Sequence, residues 1–499
     1  MNETPYSRLE ARFRRRQALD EAAGMLQWDW AAMMPAGGAA ARAEQLAVLE
    51  VLSHEMLTAP ETEELLDASE AEAPALGPWQ RANLGEMRRE WRHGTALDAG
   101  LVEALSRASQ RCELAWRQAR AESDYAAVKP LLAELLTLVR RKAEAKAAAL
   151  GLSPYEALVD AYEPGLRVSD IDPLFDDLAG FLPDFLGAVL ERQAARPAGE
   201  LPPGPFPAEH QKRLAERLMA AIGFDFEHGR LDTSAHPFCG GVSEDVRITT
   251  RYDEADFASA MMGVLHETGH ALYERGLPAA WRLQPVGRAR GMAMHESQSL
   301  LMEMQACRSP EFVGFLAPLA REAFGGSGPL WEPENLLRLY HRVEPGFIRV
   351  EADEVTYPAH IILRYRLERA LVADELSLDD LPGAWNEGFH RLLGMTPPDD
   401  RLGCLQDIHW YDGAFGYFPT YTLGALIAAQ LFDAARRARP EIPQAIGRGD
   451  FTPLLGWLRE KVHGEASRWS TAELVGRASG KPLDPGVFKA HLKARYLDS

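Results

Sequence analysis

Two histidines and a glutamate stand at a spacing that could hold and use a metal ion. His266 and His270 lie in the motif HETGH, inside an apolar-periodic run from Glu254 to about Tyr273 that Gly276 closes. On a helix, residues i and i+4 share a face, so both imidazoles can reach one ion. Glu267 follows His266 directly and can reach a water molecule bound to that ion.

A catalytic zinc site usually needs a third protein ligand, and the next helical pattern can supply it. The run from Met292 to Glu303 consists of good helix formers, and Glu296 lies within it. A loop between the two runs would return this carboxylate to the metal. His295 and Glu303 are competing donors. Neighbouring helix residues point about 100° apart, so we do not expect His295 and Glu296 to share the ion.

An alternative interpretation is that both histidines are ordinary core or surface residues and that Glu296 is an ordinary helix glutamate. Burial of two histidines and two acids in an apolar stripe costs free energy unless they share a partner, and a metal ion is the simplest one. The apolar residues around the motif are Met261, Met262, Val264, Leu265 and Leu272.

Composition and charge limit the class of protein. The chain has 499 residues and 46% hydrophobic content, enough for a large core. Its formal net charge of −19 argues against nucleic acid and anionic membranes as partners. An anionic substrate must therefore meet a local group of arginines. No apolar run reaches the roughly 18 residues of a membrane-spanning helix.

Cysteine usage and the amino-terminal residues predict a cytoplasmic protein. The four cysteines are far apart and form no CxxC pair, so we expect reduced thiols and no disulfide framework. Residues Met1 to Arg16 are polar and charged and contain no apolar signal-peptide core.

The periodicity predicts an all-α, mostly helical protein with one small β element. The strand signal is Asp245–Tyr252, just before the HETGH helix. The Pro/Gly-rich segment Arg196–Pro207 is predicted to be an exposed loop and is the clearest candidate boundary. Apolar residues recur at spacings of three and four in Ser7–Gly24, Ala39–Leu57, Leu101–Ala126, Leu131–Leu150, Pro173–Ala195, His210–Ile222, Ala359–Ala373 and Leu423–Arg439.

Three further segments could bind a substrate. The first contains His236, Asp245 and Arg247, where a short strand could pair with an extended peptide. A plain hairpin with a charged edge is the alternative. The second contains Arg349 and Tyr357.

In that second segment, Arg349, Asp353, Tyr357 and His360 are spaced to share one helix face, the polar wall of a cleft. An ordinary i,i+4 ion pair between Arg349 and Asp353 is the alternative. Pro358 is expected to kink or interrupt this helix.

The third segment runs through Gly403–Tyr411 and Gly416–Gly424. Its glycines, aromatic residues, Asp407 and His409 are typical of a loop at the rim of a site. A packed aromatic loop is the alternative.

Together these motifs resemble the Taq-type carboxypeptidase family of HEXXH metallocarboxypeptidases. The family motifs HPF, DxRxT, HEXXH, HES(G/Q), (I/V)RxxAD and GxxQDxHW occur in order and without a mismatch. They stand at His236–Phe238, Asp245–Thr249, His266–His270, His295–Gln298, Ile348–Asp353 and Gly403–Trp410. Leu26–Asp29 and Met33–Pro35 also resemble the opening of the family's sequences.

The resemblance implies a metal-dependent enzyme that removes single residues from peptides with a free C-terminal carboxylate. It implies a clam-like, two-lobed gluzincin architecture with a long central groove, and a homodimer. One Zn²⁺ per chain, with Co²⁺ possible, would be held by His266, His270 and Glu296, with Glu267 as the catalytic carboxylate. We expect one peptidase domain over 1–499, with a helical lobe or lid at 1–200 and the metal- and substrate-binding portion at 208–499.

The remaining roles are hypotheses. Tyr421 or His409 would stabilise the oxyanion, and Arg349, or else Arg247, would bind the terminal carboxylate. Further candidates for substrate contact are His236, Asp245, Asp407 and Tyr357.

Two other functions remain open at this stage. One is an oligopeptidase that cuts internal bonds. The other is a helical peptide-binding scaffold with a structural metal. Structural zinc sites usually have four protein ligands, often cysteines, and no cysteine lies beside either histidine.

Overall fold

Helices form most of the chain in a computed structural model that describes residues 4–498. In chain order the α-helices are α1 Pro5–Ala32, α2 Ala39–Thr58, α3 Pro60–Ala71, α4 Pro78–Thr95, α5 Ala99–Glu122, α6 Tyr125–Leu150, α7 Pro154–Val159, α8 Val168–Ala194, α9 Ala208–Ile222, α10 Phe257–Gly276, α11 Met292–Leu300, α12 Pro310–Phe324, α13 Pro333–Tyr340, α14 Tyr357–Val372, α15 Leu381–Leu393, α16 Pro419–Ala438, α17 Ile442–Ile446, α18 Thr452–Lys461, α19 Thr471–Ser479 and α20 Pro485–Lys493. The predicted all-α class is confirmed, since the protein is 69% helical.

The predicted helices coincide with observed ones, and most differences lie at their ends. The break between α5 and α6 falls at Ser123, which adopts a left-handed conformation at φ 57° and ends α5. Asp124 then caps α6 by accepting a hydrogen bond from the backbone N–H of Ala127. Pro130, which falls between the predicted helices Leu101–Ala126 and Leu131–Leu150, lies inside α6.

A three-stranded sheet is the small β element, in the order β1–β3–β2. The strands are β1 Gly229–Thr233, β2 Phe238–Val242 and β3 Asp245–Thr250. β1 runs parallel to β3, and β2 forms an antiparallel hairpin with β3 in which Phe238 lies opposite Thr249. Val246 and Ile248 of β3 are buried, as its alternating pattern predicts. The sheet comes just before α10 in the chain.

One helix prediction was wrong. Arg349, Asp353 and Tyr357 do not share a helix face, because Arg349–Glu351 is a single 3₁₀ turn and α14 begins only at Tyr357. Pro358 occupies the first turn of α14, where its missing N–H has no intrahelical partner to lose. Proline therefore starts this helix and does not kink it.

The described residues group into two compact units, each built from three stretches of chain. The first unit is Met1–Trp91, Ala198–His341 and Gly424–Val487, and the second is Arg92–Pro197, Arg342–Leu423 and Phe488–Ser499. One break between the units lies in the Pro/Gly-rich segment. The prediction of an exposed loop there holds only in part, because Phe206 is buried against Phe257.

Each unit has an apolar core. In the first unit, residues of α1 to α4 pack together, and these are Tyr6, Leu9, Phe13, Leu57, Leu65, Leu66, Leu84 and Met87. In the second unit, Phe175 and Tyr155 both contact the ring of Tyr365. All four cysteines are free thiols. Within residues 4–498, every helix is too short or too polar to cross a lipid bilayer.

Candidate metal centre

The first unit brings together three side chains that could hold a metal ion. His266 and His270 lie one turn apart on α10, and Glu296 lies on α11. One ligand atom from each of these residues lies within 4.8 Å of the other two. Nε2 of His270 is 3.7 Å from Oε2 of Glu296. Two imidazoles and one carboxylate form a donor set that suits zinc and leaves coordination positions open, so these residues fit a catalytic metal ion.

Two glycines let the backbone approach these ligands closely. A Cβ atom on Gly269, between the histidines, would lie 2.5 Å from the carbonyl oxygen of Gln298 on α11. A Cβ atom on Gly424 of α16 would lie 2.8 Å from Cβ of Glu296. Only glycine fits at these distances, so α11 and α16 can both pack closely around the ligands.

Glu303 holds the imidazole of His266 in place. A π-helical turn, Leu301–Ala306, follows α11 and carries Glu303, whose Oε2 lies 2.9 Å from Nδ1 of His266. Arg308 donates a hydrogen bond of 2.7 Å to the other carboxylate oxygen. Because Nδ1 donates to Glu303, Nε2 of His266 is the nitrogen that keeps a lone pair for a metal. Glu303 thus orients His266 and lies outside the group of His266, His270 and Glu296.

A second chain of hydrogen bonds orients His270. Nδ1 of His295 lies 2.7 Å from Nδ1 of His270, and Nε2 of His295 lies 2.9 Å from Glu274. If His295 donates from Nε2 to the Glu274 carboxylate, its Nδ1 accepts from Nδ1–H of His270. That tautomer leaves Nε2 of His270 free to bind a metal. His295, like Glu303, is therefore a partner of a ligand.

His266 and His270 differ in pKa. For His266, burial lowers the pKa, but the hydrogen bond to Glu303 and the charge of Glu296 outweigh burial and raise the pKa to about 10. For His270, burial and the charges of His295 and His266 lower the pKa well below its usual value. At neutral pH, His270 is therefore neutral, and His266 must release a proton when a metal binds.

Glu267 lies beside the three ligands and is almost buried, with 8% of its surface exposed. Burial, supported by the charge of Glu296 and opposed by that of His266, raises the pKa of Glu267 to about 7. A carboxyl group with a pKa near neutrality can both accept and return a proton. This is the property that a general base in hydrolysis needs.

A second polar cluster lies in the second unit, around Asp407. Nε and Nη2 of Arg349 lie 3.0 and 2.8 Å from Oδ1 of Asp407, and Nη2 of Arg364 lies 2.5 Å from Oδ2. Burial raises the pKa of Asp407, but the two guanidinium groups outweigh it and hold the pKa far below its usual range. Two cations share one anion, so this cluster carries a net positive charge.

Aromatic residues complete the Asp407 cluster. The guanidinium of Arg349 lies 4.9 Å from the ring centroid of Tyr421, whose hydroxyl is 3.4 Å from Nε2 of His409. The ring of Tyr357 meets that of Tyr421 edge to face at 6.2 Å. Burial lowers the pKa of His409 to about 4, so its imidazole is neutral at pH 7. Arg349 and Tyr357 of the second segment thus lie in one cluster with Asp407, His409 and Tyr421. The carboxylate of Asp353 instead accepts from the backbone N–H groups of Val355 and Thr356.

The predicted residues of the first segment lie on the hairpin. Arg247 of β3 pairs with Asp245 through bonds of 2.9 and 2.6 Å, and its guanidinium lies 4.4 Å from the ring centroid of Trp28. His236 is exposed in the turn before β2, and its carbonyl oxygen accepts from the hydroxyl of Ser234. The hairpin expected as the alternative therefore exists, and β2 forms an edge of the sheet.

Three residues that position the predicted ones were not predicted from the sequence, and they are Glu274, Arg308 and Arg364. Glu274 lies four residues beyond His270 on α10, so helical spacing could have identified it. Arg308 and Arg364 had no signal in the local sequence. Arg308 binds Glu303 in the π turn, and Arg364 binds Asp407, which is 43 residues away along the chain. Both roles follow only from the fold.

Comparison with known proteins gives matches along nearly the whole chain. A profile of the carboxypeptidase Taq (M32) metallopeptidase family matches residues 8–496. Thermostable carboxypeptidase 1 of Thermus thermophilus is 40% identical over 479 residues, which cover 94% of each chain.

Solved structures also match over almost the whole chain. Metallocarboxypeptidase 1 of Trypanosoma cruzi superposes with a TM-score of 0.97 at 41% identity, and the match covers 99% of each chain. The M32 carboxypeptidase of Deinococcus radiodurans has a TM-score of 0.93 at 33% identity, again over 99% of each chain.

Proposed function

The chain belongs to the carboxypeptidase Taq (M32) metallopeptidase family and is a metal-dependent carboxypeptidase, and we propose that His266, His270 and Glu296 hold its metal ion. The convergence of their ligand atoms within 4.8 Å is the observation that carries this proposal. When bound, the ion supplies Lewis-acid chemistry that acidifies a water molecule and polarises the scissile carbonyl.

In our proposal, Glu267 moves the proton. It accepts a proton from the attacking water and later gives that proton to the leaving amine. Its raised pKa, about 7, supports both steps. Glu303 and His295 keep the imidazoles of His266 and His270 in the tautomers that can bind metal.

We infer that Arg349 binds the terminal carboxylate of the peptide, with Arg247 as the second candidate. Charge supports this order. Arg349 and Arg364 share Asp407, which leaves one positive charge for an anionic group, whereas Arg247 forms a neutral pair with Asp245.

Tyr421 and His409 are the proposed donors to the oxyanion. A neutral His409 and a tyrosine hydroxyl can both donate a hydrogen bond at neutral pH. His236, Asp245, Asp407 and Tyr357 are proposed contacts of the substrate or its binding residues.

We propose Zn²⁺ as the resident ion, one per chain, with Co²⁺ as a substitute, because the donor set is two imidazoles and one carboxylate. A cytoplasmic location is consistent with four free thiols.

A homodimer is supported by exposed apolar side chains. Among residues 4–498, five large apolar side chains with 42–54% exposure lie in α1, directly after it, or in α2, and they are Trp30, Met33, Val48, Val51 and Leu52. We propose that this surface meets a second copy of the chain. Sedimentation would show a dimer for the native protein and a monomer for Val51→Glu.

The decisive experiment follows the products from an N-acetylated peptide by mass spectrometry. The peptide is offered to the zinc-loaded enzyme as the free acid and as the C-terminal amide. A ladder that loses single C-terminal residues from the acid alone supports the proposed recognition of the terminal carboxylate. Internal fragments from both forms would contradict that recognition and favour an oligopeptidase.

A further inference from the structure

A cavity of about 300 Å³ lies in the second unit, apart from the residues assigned above. Three of the six residues that line it are arginines, and the others are small or apolar. The lining residues are Arg117, Arg120, Ala121, Ile348, Arg401 and Leu402. A cavity of this size can hold a small organic molecule.

The charge of this cavity differs in sign from that of the whole chain. The chain has a net charge of −19, yet three guanidinium groups line this cavity. Arg117 pairs with Glu113 at 2.5 Å. Within the described residues 4–498, Arg120 and Arg401 have no carboxylate within 4.0 Å. Arg120 instead lies over the ring of Trp116, at 5.7 Å from its centroid. Asp399 places a second carboxylate beside the cavity, since its Oδ1 accepts from the backbone N–H of Leu402 at 2.9 Å. Three guanidinium groups against these two carboxylates leave the cavity with a net positive charge, which attracts anions.

The cavity wall is joined to the Asp407 cluster by one buried side chain, Gln406. Its Nε2 donates to the carbonyl oxygens of Phe347 and Leu402, both at 2.9 Å. Its Oε1 accepts from the backbone N–H of Arg349, also at 2.9 Å. Gln406 thus ties Leu402 of the cavity wall to the backbone on both sides of Ile348, at Phe347 and at Arg349, the arginine that we assign to the substrate carboxylate.

The opposite wall, α5, is tied to the same loop. Nε1 of Trp116 donates a 2.8 Å hydrogen bond to the carbonyl oxygen of Leu405, and the backbone N–H of Arg401 donates to the hydroxyl of Ser123. A ligand that bridges Arg120 on α5 and Arg401 on the loop would add a link between these two walls. Extra links reduce the motion of the loop and of Arg349.

We propose that this cavity binds a small phosphate-bearing molecule whose apolar part rests on Ile348 and Leu402. The phosphate group pairs with Arg120 and Arg401, since guanidinium groups match phosphate oxygens in geometry and charge. Occupancy stabilises the position of Arg349 through Gln406 and lowers the KM for peptides without a change in kcat. This effect on KM rests on the proposed role of Arg349; the binding itself does not.

Phenyl phosphate is a suitable probe, because it combines one phosphate with one apolar ring. Its binding to the zinc-loaded enzyme is measured by calorimetry for the native protein and for the variants Arg120→Ala and Arg401→Ala. We expect each substitution to weaken binding by about tenfold or more. Arg107→Ala is the matched control, because Arg107 is exposed on the same helix and pairs with Glu103 outside the cavity. This control should bind the probe as the native protein does.

Peptide hydrolysis at saturating phenyl phosphate and constant ionic strength tests the effect on KM. A lower KM that returns to its original value in Arg401→Ala supports the effector role. An unchanged KM overturns that role, and a raised KM that persists in Arg401→Ala shows competition at the catalytic site. Native protein that fails to bind the probe, or equal binding by all variants, overturns the cavity site. Absence of hydrolysis without probe would count against the proposed function instead.

Discussion

At the scale of a single residue, a substitution of Glu267 can distinguish proton transfer from metal binding. Glu267→Gln keeps the size of the side chain but removes the carboxylate that accepts a proton. We therefore expect a native metal content and a turnover at least about 10²-fold lower. Elemental analysis and the rate of peptide hydrolysis, measured on the same sample, check this. Substantial activity in this variant would exclude Glu267 as the base.

Arg349 and Arg247 can be distinguished by the charge of the substrate. If Arg349 binds the terminal carboxylate, Arg349→Ala should reduce kcat/KM for free-acid peptides by about tenfold to a hundredfold or more, a loss of roughly 1.5–3 kcal/mol for a charged hydrogen-bonded pair. Amidated peptides, which lack that anion, should be affected far less. Arg247→Ala is the comparison. The same selective loss in Arg247→Ala alone would move the role to β3.

From the sequence, His266, His270 and Glu296 are the predicted donors, and His295 and Glu303 compete with Glu296. Helical spacing alone pairs His266 with His270, whereas Glu296, His295 and Glu303 were all possible donors. The course of the chain in and after α11 distinguishes Glu296 from the two competing donors. A π turn brings Glu303 to Nδ1 of His266, and His295 contacts Nδ1 of His270. Neither contact has a local sequence pattern.

Close packing of α10 against α11 explains the glycine inside the HETGH motif at the scale of elements. Gly269→Ala would place a methyl group 2.5 Å from a backbone oxygen and 2.6 Å from Cα of Ser299. Backbone cannot move aside as a flexible side chain can, so the helices must separate. We expect a loss of about 1–3 kcal/mol in the free energy of unfolding and weaker metal binding. Denaturant unfolding and metal titration measure the two effects.

Gly263→Ala on the same helix is the matched control. Apart from the neighbouring backbone of α10, no atom of the described residues 4–498 lies within 4 Å of a Cβ built at Gly263, so alanine has room there. Alanine favours helix over glycine by about 0.8–1 kcal/mol, and the variant should be as stable as the native protein or more so. If Gly263→Ala and Gly269→Ala were equally destabilised, helix packing would not be the cause.

A helix or strand can be predicted where the local residue pattern determines its conformation. Prediction is less successful where contacts with residues far along the chain determine the conformation. The long helices follow from apolar periodicity and from caps such as Asp124. The segment from Arg349 to Tyr357 had helical spacing but forms turns. There, Arg349 is held by Asp407 and Gln406, which are far along the chain. Buried Glu368 likewise anchors the loop by accepting from Trp410 and the N–H of Gly416, and periodicity predicts neither bond.

At the scale of the whole molecule, the chain is strongly acidic, so a local cluster of arginines indicates a site for an anionic ligand. With a net charge of −19, the chain as a whole repels anionic ligands. The Arg349–Arg364–Asp407 cluster and the arginine-lined cavity are local exceptions to this field. The composition alone indicated that an anionic substrate would have to meet a local group of arginines. Their location depends on contacts between residues far apart in sequence.

Metal removal tests the whole molecule, because an ion that binds only the folded chain stabilises it by mass action. Excess free zinc at a thousand times its Kd adds about 4 kcal/mol. Dialysis against a chelator should therefore abolish turnover and lower the Tm, and Zn²⁺ or Co²⁺ should restore both. Hydrogen exchange should increase most in α10 and α11, which carry His266, His270 and Glu296. Full turnover in a sample without metal would contradict the assignment.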